Sequence, residues 1–106
     1  MRYLGTLTVA NGVSVNNLTT ASPFRISPGF KGLRLTASGS DCYALCKAGT
    51  SAQAATTTTG TSIGTTEYIM PIDACAGTDV NDYDNVLAVF NNNAASRTVA
   101  VFGDEA

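Results

Sequence analysis

A chain of 106 residues is long enough for one small domain and too short for two. Hydrophobic residues make up 44% and charged residues only 13%, which is too apolar and too weakly charged for a disordered chain. Six Lys and Arg against eight Asp and Glu give a net charge of -2, which argues against electrostatic capture of nucleic acid, and the lack of histidine removes the commonest general base and zinc ligand.

Apolar residues alternate with polar ones almost throughout, the pattern of half-buried strands. Residues 3–9 put Tyr3, Gly5, Leu7 and Val9 on one face and Leu4, Thr6 and Thr8 on the other. Asn11-Gly12 predicts a tight hairpin turn, followed by a second strand through Val13 and Val15 that stops at Asn16-Asn17. A short strand is expected over 23–27, at a strand start or sheet edge because of Pro23, and Ser27-Pro28-Gly29 turns the chain again. Residues 31–37 place Leu33, Leu35 and Ala37 inward with Arg34 and Thr36 outward. Residues 42–47 carry apolar side chains on both faces, as a central strand does.

The segment 49–62 is rich in Thr, Ala and Gly and reads as a long loop, in which Thr56, Thr57, Thr58 and Thr59 can add a β-branched edge strand. Strand character resumes over 63–72, residues 73–77 are irregular, and 79–85 form a polar acidic loop. Two apolar strands, 86–90 and 98–102, are joined by a hairpin loop over 91–97, and residues 103–106 form a short acidic tail. Leu4 and Leu18 fall where they would be exposed at sheet edges. The expected fold is therefore all-β: a single β-sandwich or jelly-roll-like domain over 1–106, of about seven to eight short antiparallel strands. An extended arm over 1–10 and the Thr-rich loop 49–62 are its outlying parts.

Little in the chain carries chemistry. Cys42 and Cys46 lie four residues apart, roughly 13 Å on a regular strand, too far for a disulfide. Cys75 is able to pair with either, and all three fit small core residues in a reducing compartment better than metal ligands. The loop beginning Asp79-Val80-Asn81 starts like a calcium loop, then places Tyr83 and Asp84 where a ligand and a glycine belong, so a solvated turn is expected. Glu67 and Asp73 are the carboxylates away from obvious turns, without a cleft to make them a catalytic pair. Ser and Thr lack an activating base, and Lys31 and Lys47 sit among surface-like residues. Phe24, Phe90 and Phe102 read as core, while the tyrosines suit half-buried interface positions. The expectation is no enzyme, no cofactor and no metal site. No run reaches the roughly 20 apolar residues of a membrane span, and the alternating N-terminus is not a signal-peptide core, which predicts folding in the cytoplasm.

The runs Ser22-Pro23-Phe24-Arg25-Ile26 and Gly32-Leu33-Arg34-Leu35-Thr36-Ala37, with the closing strands 87–91 and 98–102, carry a resemblance. A small, lysine-poor β domain of this kind resembles accessory virion proteins of tailed bacteriophages, of the head decoration or cement type. That resemblance implies a non-catalytic virion protein on the capsid exterior, made in the bacterial cytoplasm. It would bind the major capsid protein as a homo-oligomer, a trimer by preference, with no nucleic acid or membrane partner. Expected contacts are Arg2, Tyr3 and Leu4, adding a strand to a partner's edge, and Thr56, Thr57, Thr58 and Thr59. Two other roles compete: a minor tail, neck or head-fibre component, and a small carbohydrate-binding module using exposed tyrosines.

Overall fold

The computed structural model describes residues 1–26, 30–48, 54–71 and 85–105. The expected turn at 27–29, residues 49–53 of the Thr-rich loop, the irregular stretch with Asp73 and Cys75, and the acidic loop up to Asp84 lie outside the described residues.

Among the described residues there are eight strands: β1 (Arg2–Val9), β2 (Ser14–Asn16), β3 (Phe30–Ala37), β4 (Cys42–Ala48), β5 (Thr61–Ile63), β6 (Tyr68–Pro71), β7 (Asn85–Asn91) and β8 (Arg97–Glu105). They form two antiparallel four-stranded sheets, in the orders β1-β8-β3-β6 (sheet A) and β2-β7-β4-β5 (sheet B). Every connection except β4 to β5 changes sheet, and the two orders together are those of an eight-stranded jelly roll. The described residues contain no helix. The all-β sandwich expected from the alternation is what the chain builds.

The core lies between the sheets. From sheet A come Leu7 and Val9 of β1, Leu33, Leu35 and Ala37 of β3, and Val99 and Val101 of β8. From sheet B come Cys42, Ala44 and Cys46 of β4 and Leu87 and Val89 of β7. Both described cysteines are buried and free, and burial pushes the Cys42 thiol pKa up. The inward set of β3 matches its alternation, and β4 is central, between β7 and β5.

Several expectations are corrected. The segment 1–10 is no free arm, because β1 pairs with β8 from Arg2↔Gly103 to Val9↔Arg97. Asn11-Gly12 does turn, with Gly12 at φ 72°, but β1 and β2 enter opposite sheets, as do β7 and β8. A corner between sheets and a hairpin need the same turn residues, so alternation alone does not separate them. The strand expected over 23–27 reduces to one bridge, Ile26↔Asn85, and the run 63–72 splits into β5 and β6 on different sheets. Thr56–Thr59 form a turn instead of an edge strand: the Thr56 hydroxyl accepts from Thr58 and Thr59 N–H, and Gly60 N–H bonds to Thr56 C=O. Asp104, read as tail, belongs to β8 and is buried. Leu4 and Leu18 are half-buried, with Leu4 packed on the core; among the described residues the exposed large hydrophobics are Met1, Tyr3, Val13 and Ile69.

Candidate docking face

The outward side chains of sheet A are aligned by register. Tyr3 stands opposite Phe102, Phe102 opposite Arg34, and Arg34 opposite Ile69, so one row crosses all four strands. A second row runs Thr6, Ala100, Thr36 beside it.

A bulge creates the first row. The pairing of β1 with β8 shifts between Tyr3 and Gly5, leaving Leu4 as the extra residue. Strict alternation would put Tyr3 on the inward face with Leu7 and Val9. The inserted residue reverses the parity, and Tyr3 turns out to 57% exposure. There its ring meets Phe102 edge-on, centroids 5.4 Å apart, and its hydroxyl hydrogen-bonds with that of Thr6. Phe102 is therefore half-exposed on an outer face and not core; Phe90 is likewise half-exposed, on the outer side of sheet B. Phe24 is half-buried against the core, its ring lying on Gly5 where a Cβ would have stood.

Arg34 is held in the middle of the row by two carboxylates. Its Nε donates to both carboxylate oxygens of Asp104 (3.0 and 2.8 Å) and its Nη1 to Glu67 Oε1 at 2.9 Å. The hydrogen bond that Arg34 donates to Glu67, then those it donates to Asp104, hold the guanidinium pKa above its ordinary value. With two carboxylates fixing it, the side chain has little rotamer freedom left to lose when a partner covers it. Ile69, 54% exposed, closes the row.

The opposite outer face differs. Val86 and Ala88 of β7 point outward yet are buried, and the chain itself crosses this side. Ala55 N–H donates to Ser14 Oγ on β2 at 2.9 Å, and Gly60 packs against Tyr43 of β4. Thr56–Thr59 therefore sit exposed over sheet B, away from Tyr3. A flat partner touches one of these two sets. Nor is the β1 edge open along its length: Leu7 and Val9 expose nothing, and the Val9 carbonyl is taken by Asn91 Nδ2 at 2.9 Å. Arg2, exposed, lies at the start of this strand.

The sequence placed Phe102 in the core and named Glu67 only as an isolated carboxylate; Ile69 and the grouping of Arg34 with Asp104 and Glu67 it did not show. The outward position of Arg34 is visible in the alternation of 31–37, but its partners are 33 and 70 residues away. No family model, curated protein or solved structure matches the chain.

Proposed function

We propose that this protein is a non-catalytic decoration protein of a bacteriophage head, docking the outer face of sheet A on the capsid exterior and bracing the major capsid protein there. One observation carries the reading: sheet B's outer face is crossed by the chain's own segment, while among the described residues sheet A's bears an exposed or half-exposed row of Tyr3, Phe102, Arg34 and Ile69. Tyrosine and arginine are the side chains that most often anchor interfaces. The small residues beside the row, Thr6, Ala100 and Thr36, let a partner backbone approach closely and cost little side-chain entropy on docking.

The jelly-roll order hosts viral coat and sugar-binding domains alike, so the fold alone does not decide between them. Assembly as a trimer is part of this reading, and so is the capsid exterior. The test is to quantify the chain against the major capsid protein in gradient-purified particles, and to repeat binding with Ile69→Asp. About one copy per capsid subunit, or one trimer per local threefold, with binding lost in Ile69→Asp, is expected. A handful of copies per particle moves the protein to the neck, tail or fibre, and complete absence overturns the virion reading. Full binding by Ile69→Asp, with loss in Thr57→Asp, moves the contact to sheet B.

A further inference from the structure

At one end of the sandwich, the β3–β4 turn and the β5–β6 connection flank an open, shallow cleft of about 460 Å³. Its walls carry Ser40, Asp41, Ser62, Thr65 and Thr66, and Ile63 supplies a buried apolar floor. The volume falls within the range of small-molecule sites. We propose that this cleft binds an uncharged sugar, with Asp41 accepting hydrogen bonds from two adjacent sugar hydroxyls.

Asp41 is fixed in place from three directions. Its backbone has φ 68°, the left-handed region that costs free energy for a side-chain-bearing residue. Asn92 N–H donates to its carbonyl at 2.9 Å, and Asn93 Nδ2 to its Oδ2 at 2.7 Å. Next to it, Arg97 Nε donates to the Ser40 carbonyl at 3.2 Å, which pins the turn from the other side. The connection between β7 and β8 thus holds the carboxylate while its remaining lone pairs stay unassigned by these bonds.

The chemistry of the walls selects the ligand class. A carboxylate only accepts, whereas Ser and Thr hydroxyls both donate and accept. A vicinal diol supplies two donors to one carboxylate and further oxygens to the surrounding hydroxyls. The formal charge of Asp41 disfavours phosphate and acidic sugars. A single carboxylate beside neutral hydroxyls is also a poor set for a divalent cation, which gathers more charged oxygen ligands. This site lies at the sandwich end and is independent of the docking row on sheet A.

The experiment is a titration of the full chain, labelled with ¹⁵N, against methyl glycosides of glucose, galactose and mannose to tens of millimolar. Expected are shifts confined to residues 39–41 and 62–66 for at least one sugar, with about tenfold weaker binding in Asp41→Asn. Asparagine tolerates the same left-handed backbone, so this variant keeps the fold. A second variant, Thr65→Val, should also weaken binding while leaving the spectrum elsewhere unchanged. No shift with any of the three, shifts centred on Tyr3 and Phe102, or unchanged affinity in Asp41→Asn would overturn the proposal. So would calcium chloride alone reproducing the same shifts.

Discussion

Asn17 exposes no surface, and both ends of its amide are used. Its Oδ1 accepts the Leu87 N–H at 2.8 Å, and its Nδ2 donates to the Phe24 carbonyl at 2.8 Å. Its backbone repeats both connections, with Asn17 N–H on Leu87 C=O and Phe24 N–H on Asn17 C=O. The side chain therefore ties the loop after β2 to β7 on one side and to the segment bearing Phe24 on the other. Asn17→Ala leaves the Leu87 N–H orphaned in a fully buried position, which costs about 1–3 kcal/mol, and loses a second bond worth about 1 kcal/mol. The sum, about 2–4 kcal/mol, is a large part of the roughly 5–15 kcal/mol that holds a domain folded. In urea denaturation followed by far-ultraviolet circular dichroism, the midpoint should fall by about 1–2 M at unchanged slope, for a slope of about 2 kcal/mol/M. Asn17→Leu fills the space without replacing the acceptor and should be similarly destabilised. A loss below about 0.5 kcal/mol in Asn17→Ala, or wild-type stability in Asn17→Leu, would refute the reasoning, because the bonds would then carry no weight.

Two further outcomes follow from packing and titration. A Cβ on Gly5 would come within 2.6 Å of Phe24 Cε1 and 2.7 Å of Cγ, so Gly5→Ala should cost about 1–3 kcal/mol. Placed on a Phe24→Ala background it should cost much less, and a double-mutant cycle by chemical denaturation reads the coupling; additivity of the two would sink the account. Burial raises the Cys42 thiol pKa, so its contribution to stability is intact below the ordinary thiol value, roughly 8.5, and is lost as pH rises from there toward the raised one. Stability should fall above that point with a slope of up to about 1.4 kcal/mol per pH unit. Cys42→Ala should flatten the slope, and an unchanged alkaline profile would count against the buried thiol as its source.

How much of this was legible in the sequence depends on how local each cause is. Leu33, Leu35 and Ala37 declared their face because the period of a strand is two and nothing interrupts it there. Tyr3 did not, because a single bulge at Leu4 reverses the parity of everything before it, and no residue type marks that bulge. Asn16, Asn17 and Asn91 were legible as breakers. Their burial was not, since an asparagine that bonds its own turn looks the same in sequence as one that satisfies a distant strand. Asp104 looked like tail because its worth lies in Arg34, which β3 brings alongside β8. The cleft at Asp41 gathers residues from turns with no pattern in common, and only the jelly-roll order places them together.

The two outer faces differ for a reason that can be traced to their central strands. In β7 the outward positions Val86, Ala88 and Phe90 are all apolar, a surface unfavourable in water, and the chain turns back over that side through Ala55 and Gly60. In β8 the corresponding positions are Thr98, Ala100, Phe102 and Asp104, already half polar, and Thr98 is exposed while Ala100 and Phe102 are half-exposed among the described residues. What remains uncovered there is not random. The bulge adds Tyr3 beside Phe102, and two carboxylates hold Arg34 in the gap between Phe102 and Ile69. Strand edges usually avoid contact through charge, proline or brevity, and the edges made by β2, β5 and β6 are three or four residues long, β6 ending in Pro71. The edge of β1, eight residues long, is instead buried at Leu7 and Val9. With its edges short or buried in this way, the molecule is better suited to meeting a partner face-on through sheet A than by strand addition at its rim.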